Sequence, residues 1–285
     1  MTFPLFVAEV SSNHGQDLSR CIEFIDVSAD IGCDAVKFQL FKVDQLFSIE
    51  ARRARPEIEL RKEWELPLEF LPKLKDHCIK RDIQFSCTPF YLDAVKELEP
   101  YIDFYKVASY ELMWHPLIKA CVETGKPLVI STGMATIEEI DSAVSVIKEG
   151  GCKDLILLST ISGYPTPVAE CNLAFIETLR DRYGVKSGWS DHSVNPGVLA
   201  RAVHAYDASM IEFHLDLDGK GDEFKTGHCW LPNDIAACIR MIRDGFSASG
   251  CAEKILGASE MADRDWRADP IDGLRPLRKM RQSLL

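Results

Sequence analysis

Eight short apolar runs recur along the chain, and most of them end in a polar or ionisable residue. Residues 5–7 run into Glu9, and 35–36 into Lys37 and Gln39. Residues 83–85 lead to Thr88, while 104–107 carry Lys106 and lead to Ser109. Residues 128–130 end at Ser131 and Thr132, and 155–158 at Ser159 and Thr160. Residues 188–189 end at Ser190, Asp191 and His192, and 210–213 carry Glu212 and end at His214. A buried strand has no structural need for a charge or hydroxyl at its C-terminal tip. Repeated over eight strands, the pattern implies that the tips converge on one chemical site, as in a (β/α)8 TIM barrel.

Helix-period segments lie between these runs. Ile22, Ile25 and Ala29 share a helical face, with Gly32 placed to stop the helix. Thr136-Ile137-Glu138-Glu139 reads as a capping box, opening a helix with Ile137, Ile140, Val144 and Ile147 on its apolar face and Gly150-Gly151 at its end. Alternation of strand and helix predicts a parallel sheet covered by helices. Closure into a barrel rests on the count of eight; a doubly wound open sheet is the alternative. The 285 residues suit one α/β barrel domain of about 250 residues with a short tail. The expected division is a barrel over 1–260 and an extension over 261–285 packed on it.

Charge and cysteine usage exclude several classes. The net charge of −11 argues against a nucleic-acid partner. No run of about 18 apolar residues predicts a membrane span, and the N-terminus has no signal-peptide pattern. The ten cysteines form no Cys-x-x-Cys pair and read as reduced thiols of a cytoplasmic protein. Two stretches break the strand–helix rhythm: the charged segment 43–68, with Glu65-Leu66-Pro67-Leu68 as entry to the second outer helix, and the Gly-rich segment 216–231. Both are read as loops on the barrel's catalytic face, with solvated surface loops as the plainer alternative.

The tips carry a definite set of groups. His192 and His214 end neighbouring strands about 4.8 Å apart, within reach of one divalent metal; His14, past the first strand, is a weaker candidate. Lys37 and Lys106 fall inside apolar runs, where a lysine is buried only when paired. With the hydroxyls of Thr88, Ser109, Ser131, Ser162 and Ser190 they suit a phosphate or carboxylate. Ion pairs from these lysines to Glu9, Glu111 or Glu212 are the structural reading, and the two are compatible. Those acids are also placed to handle protons or sugar hydroxyls.

In order, the motifs Ala8-Glu9-Val10 with Asn13-His14, Ala35-Val36-Lys37-Phe38-Gln39, Ser86-Cys87-Thr88-Pro89-Phe90 and Tyr105-Lys106-Val107-Ala108-Ser109 with Glu111 are followed by four more. These are Ile130-Ser131-Thr132-Gly133-Met134, Tyr164-Pro165-Thr166-Pro167, Ser190-Asp191-His192 and Glu212-Phe213-His214. The ordered set resembles the sialic acid synthase family, over roughly residues 5–260. The resemblance implies a metal-dependent transferase that condenses phosphoenolpyruvate with an aldose, N-acetylmannosamine or a relative, giving a 2-keto-3-deoxy sugar acid and phosphate. It assigns phosphoenolpyruvate to Lys37, Thr88, Lys106, Ser109, Ser131, Ser162 and Ser190. The metal, usually Mn with Mg, Co, Fe or Zn as alternatives, falls to His192 and His214. The sugar falls to Glu9, Gln39, Glu111 and Tyr164, with Asp222 as a looser match. Candidate catalytic residues are Glu9, Glu212 and Lys106, with Glu212 or Glu9 activating the water that adds at C2.

Two departures stand out. The family's C-terminal antifreeze-like (SAF) domain, whose arginine reaches the partner's sugar site in the dimer, has no counterpart before residue 285, so a homodimer would need a barrel-to-barrel contact. The segment after the eighth strand also lacks the family's Pro-Gly-Pro-Asp pattern. His228-Cys229-Trp230 there either caps the sugar pocket or packs on the rim. A synthase for a non-N-acylated sugar and a non-catalytic sugar-acid-binding barrel are the alternatives carried forward.

Overall fold

The strand-tip pattern works because successive side chains on a strand face opposite ways. The computed structural model, which describes residues 3–284, shows eight parallel strands. They are β1 (Leu5–Glu9), β2 (Ala35–Leu40), β3 (Gln84–Pro89), β4 (Phe104–Val107), β5 (Leu128–Ser131), β6 (Leu155–Thr160), β7 (Lys186–Asp191) and β8 (Met210–Leu215). β1 pairs with β2 and also with β8, so the sheet closes and the open-sheet alternative is excluded. Outer helices follow the strands: α1 (Leu18–Asp30), α2 (Leu71–Lys80), α3 (Leu92–Leu98), α4 (His115–Glu123), α5 (Ile137–Glu149), α6 (Phe175–Tyr183), α7 (Pro196–His204) and α8 (Pro232–Ala248). The chain divides between Phe246 and Ser247 into two compact units, short of the expected boundary at 260. Within the second unit, Asp272 accepts hydrogen bonds from the Arg281 guanidinium at 2.6 and 2.7 Å.

Alternation sorts the strand residues into two cores. Phe6, Ala8, Val36, Phe38, Phe85, Tyr105, Val107, Ile130, Leu157, Trp189, Ile211 and Phe213 join the large core shared with the helices. Val7, Ala35, Phe104, Val129, Ile156, Leu158 and Met210 form a separate cluster. Two residues on from members of this smaller cluster come Glu9, Lys37, Lys106, Ser131 and Glu212, all buried. The inward rows are thus apolar at the start of the strands and ionic or hydroxylic at the end.

Local signals set the helix ends. Asp17 caps α1 through the amides of Ser19 and Arg20. The buried face of α1 is Cys21, Phe24, Ile25 and Ser28; Ile22 and Ala29 lie at its margin, half-buried. The capping box of Thr136 and Glu139 forms as read, the Glu139 amide donating to Thr136 Oγ1 at 3.3 Å and the Thr136 amide to Glu139 Oε2 at 2.8 Å. The segment 43–68 is no open loop. It folds into short helices at Val43–Leu46 and Ile49–Ala54 and a 3-10 stretch at Pro56–Trp64. Phe41, Val43 and Ile58 form its own apolar cluster, which holds together a segment without helical periodicity. The segment 216–231 is likewise ordered, with a short helix at Asp222–Thr226 and a two-residue strand, β9 (Cys229–Trp230), parallel to β8.

The sharpest packing constraint lies at Gly188 in β7. A methyl group there would drive into the backbone carbonyl of Met210 on β8 and meet the Leu158 side chain. Neither β8 nor β6 can move without breaking the closed ladder. Gly188→Ala is expected to destabilise the barrel by about 1–3 kcal/mol, measured as a lower midpoint in urea unfolding.

Candidate active site

Barrel register brings opposite charges together. Glu9 is level with Lys37 across β1 and β2 and with His214 across β1 and β8, and Ser190 is level with Glu212 across β7 and β8. Lys37 forms an ion pair with Glu9 and lies 3.8 Å from Glu212, while Lys106 Nζ is 3.1 Å from the same Glu212 oxygen. The result is a buried ladder, Glu9–Lys37–Glu212–Lys106, each member at most 5% exposed. Burial opposes the charge on Glu212, but Lys106 and Lys37 hold its carboxyl below the usual carboxylate range. Burial also opposes the charge on Lys37, and Glu212 and Glu9 overcome it, lifting its ammonium above the usual lysine range. Lys106 goes the other way, lowered by burial and by Lys37 against the pull of Glu212.

Above the ladder opens a cleft of about 720 Å³. Lys106, Ser109, Ser131, Ser190, Glu212, His192 and His214 line it on the barrel side. Lys37 and Thr88 lie beneath, joined by a 3.3 Å hydrogen bond from Nζ to Oγ1. The hydroxyls of Ser131 and Ser162 are buried without a hydrogen-bond partner among the described residues, and the Gly133 amide donates to Ser109 Oγ at 3.0 Å. A side chain at Gly133 would strike the hydroxyls of Ser162 and Ser109, so the absence of Cβ keeps a small cradle open. Unsatisfied buried hydroxyls beside two lysines are what an oxyanion needs. Ser162 does not itself border the cleft.

The other wall holds the acceptor candidates. Gln39, Glu111 and Tyr164 line it. Glu9 is under the floor, accepting from Gln39 Nε2 at 2.7 Å. Burial raises the Glu111 carboxyl to about 7, and its Oε2 has no partner among the described residues. Asp222 lies elsewhere: its carboxylate is 77% exposed and paired with Lys225, while the neighbouring Glu223 takes the inward position. The rest of this wall escaped the sequence reading. Phe47 and Trp64 flank the Arg61 guanidinium at 5.4 and 5.5 Å from their ring centres, and all three line the cleft. The Arg61 guanidinium makes no side-chain hydrogen bond or close ion pair among the described residues, and its charge is felt at Glu57. Only its position within the flagged segment 43–68 hinted at a role.

Histidine geometry suits a metal. The His192 and His214 ring centres are 5.4 Å apart. His192 Nδ1 lies 2.8 Å from the Ile161 carbonyl and His214 Nδ1 2.8 Å from Glu223 Oε2. A histidine whose Nδ1–H is held by a carbonyl or carboxylate presents Nε2 as a ligand, the usual arrangement around a metal-bound imidazole. Burial drives His192 down to about 3, leaving it neutral. Burial also acts to lower His214, but Glu223 raises it overall; a cation at Nε2 would compete with that proton. These donors fit a divalent ion.

A closed parallel barrel with an oxyanion cradle beside a histidine pair at the strand tips defines a barrel enzyme that handles an anionic substrate. The chain belongs to the NeuB family, whose model matches residues 24–254. It is 34% identical to the N,N'-diacetyllegionaminic acid synthase of Campylobacter jejuni subsp. jejuni serotype O:2, over 90% of this chain and 80% of that protein. It is 32% identical to the pseudaminic acid synthase of Helicobacter pylori, over 97% and 84%. In structure it is similar to the N-acetylneuraminic acid (sialic acid) synthetase of Leptospira borgpetersenii serovar Hardjo-bovis in complex with citrate. The TM-score there is 0.81 at 28% identity, over 93% of this chain and 92% of that one. The chain is thus an enzyme of the sugar-acid synthase kind, and the non-catalytic barrel is set aside. No helix among the described residues is long and apolar enough to cross a membrane.

His14 is placed apart from this chemistry. It is fully buried, does not border the cleft, and accepts the Gln16 amide at Nδ1 at 3.0 Å. Burial lowers it from 6.5 to about 4. The unfolded chain therefore takes up a proton on His14 below pH 6.5 that the folded chain refuses until about pH 4. Its contribution to stability is intact above pH 6.5 and is lost as pH falls to about 4, roughly 3 kcal/mol in all. Urea unfolding at stepped pH should show this slope, and His14→Gln should flatten it.

Proposed function

We propose that the protein condenses phosphoenolpyruvate with an N-acylamino aldose, giving a 2-keto-3-deoxy sugar acid and inorganic phosphate. The observation that carries this reading is the juxtaposition, in one cleft, of Lys106, the unsatisfied Ser131 hydroxyl and the histidine pair, with Lys37 paired to Glu212 beneath its floor and the Ser162 hydroxyl beside Gly133. The cleft volume of about 720 Å³ is within the range of small-molecule sites and leaves space beyond the cradle for a second substrate.

Lys37, Lys106, Thr88 and the serines 109, 131, 162 and 190 hold the phosphate and carboxylate of phosphoenolpyruvate. His192 and His214 hold the divalent metal, Mn in the first instance, which when bound supplies Lewis acidity toward the sugar aldehyde. A bond forms between C3 of phosphoenolpyruvate and the aldehyde carbon. Water then adds at the electron-poor C2, the C2–O bond breaks, and phosphate departs with the bonding pair. Lysines fixed by Glu9 and Glu212 meet the moving charge without rearranging, which is the source of electrostatic catalysis. Glu9 and Glu212 are tied to those lysines. Glu111, partnerless at Oε2 and poised at about 7, is the better proton carrier. Arg61, between Phe47 and Trp64, offers N–H donors and apolar faces to an N-acyl carbonyl and its methyl. The ten free cysteines fit a reducing, cytoplasmic setting.

Incubation with Mn²⁺, phosphoenolpyruvate and a panel of aldoses should release phosphate with at least one N-acylamino sugar; silence across the panel from folded, metal-loaded protein would sink the reading. Lys106→Met should lower kcat/KM by about 10²–10³. Glu111→Gln should lower kcat and remove the limb of the pH–rate profile near pH 7. Arg61→Ala should raise KM for the acylated acceptor about tenfold and leave KM for phosphoenolpyruvate unchanged.

A further inference from the structure

The segment after β8 brings a third imidazole to the histidine pair. β9 pairs in parallel with β8, with His214 level with Cys229 and Leu215 with Trp230. The indole N–H of Trp230 donates to Asp191 Oδ2 at 3.0 Å, and Asn13 Nδ2 donates to the Leu215 carbonyl at 3.0 Å. So anchored, the residue just before β9, His228, is 6% exposed and lines the same cleft as His192 and His214. Its ring centre is 4.9 Å from that of His214 and 6.3 Å from that of His192.

The hydrogen bonding of the three rings follows one rule. His192 uses Nδ1 toward Ile161, His214 uses Nδ1 toward Glu223, and His228 uses Nδ1 toward Thr226 Oγ1 at 2.7 Å. His192 and His214 keep Nε2 for another partner, and the Nε2 of His228 turns toward Glu223 in the same group. Glu223 is central to the group. Its Oε2 lies 2.8 Å from His214 Nδ1 and 3.5 Å from His228 Nε2, and its Oε1 accepts the hydroxyls of Ser11 at 2.5 Å and Ser12 at 2.8 Å. Ligand-capable atoms of His214, Glu223, His228 and Cys229 all lie within 4.8 Å of one another. The Cys229 thiol points its S–H toward Glu223 at 3.9 Å.

We propose that His228 is a third imidazole ligand of the divalent metal, oriented by Thr226 at its Nδ1, and that Glu223 is the carboxylate that positions His214. A carboxylate held by two serine hydroxyls and bonded to the Nδ1 of His214 is the outer-shell partner that fixes ring orientation and raises ligand basicity. Three neutral nitrogens with open positions favour Mn, Fe, Co or Zn over Mg, which prefers oxygen. The inference rests on reading His192 and His214 as metal ligands, but not on any particular sugar.

The test is made on the full chain without phosphoenolpyruvate or sugar, so its outcome is separate from that of the synthase assay. Chelator-stripped protein is reloaded with Co²⁺, and X-ray absorption counts the imidazoles on the metal. Three imidazoles are expected, falling to two in His228→Gln; two in the unaltered protein would overturn the assignment. Titration with Mn²⁺, followed by the electron paramagnetic resonance of the free ion, should show binding weakened 10–100-fold in Glu223→Gln and at least as much in His228→Gln. Circular dichroism confirms that both variants are folded. Unchanged affinity in His228→Gln, or no metal bound by the unaltered protein, also defeats it.

Discussion

Two lysines and two glutamates locked inside a barrel are the constraint around which the rest of the molecule is arranged. Removing any of these charges from water costs several kcal/mol, recovered only when partners stand at the right separation. Glu9, Lys37, Glu212 and Lys106 come from β1, β2, β8 and β4, so no local segment can place them. Closure between β1 and β8 puts Glu9 and Glu212 on adjacent strands. The apolar plug of Val7, Ala35, Phe104, Val129 and Met210 seals the barrel behind them. The ladder is thus a product of register: a slip by one residue in any of these strands would turn a charge into the helix-facing core.

The same register decides where chemistry can occur. Glu9 and Glu212 are paired with the lysines of the ladder, whereas Glu111, on the 3-10 turn Ser109–Glu111, keeps an oxygen without a partner among the described residues. The histidine side depends on a different device. There the chain after β8 returns as β9 and presents Glu223 and His228 to the tip of β8. One half of the site is therefore built from strand interiors, and the other from a segment clipped to the rim by strand pairing and by Trp230 on Asp191.

Much of this was legible in the sequence because strand alternation is strict. A polar residue two places after an inward apolar one must also face inward, so Lys37, Lys106, Glu212 and His214 announced themselves. The capping box at Thr136 was equally plain, since it needs only neighbours in sequence. The segments between elements were not legible. In a short helix each residue turns by about 100° from the last, so Asp222 and Glu223 point roughly at right angles and a one-residue uncertainty exchanges solvent for the histidine cluster. Arg61 was hidden for another reason: Trp64 is one 3-10 turn away within Pro56–Trp64, but Phe47 lies 14 residues back, with no periodicity to link it to them. His14 resembled a ligand by type and place, yet its burial behind Phe38 keeps it structural.

The cluster of Phe41, Val43 and Ile58, with Leu46, Phe47, Trp64 and Phe90 packed on it, is distinct from both barrel cores. Its separateness bears on how such a chain can diverge. Changes in the wall that carries Arg61, Phe47 and Trp64 are absorbed within a satellite of the fold, while a change in the ladder disturbs four strands of the barrel at once. Selection can therefore retune the far end of the cleft through small steps, each tolerable to the folded state, while the near end stays fixed. The architecture separates what is recognised from what is done to it.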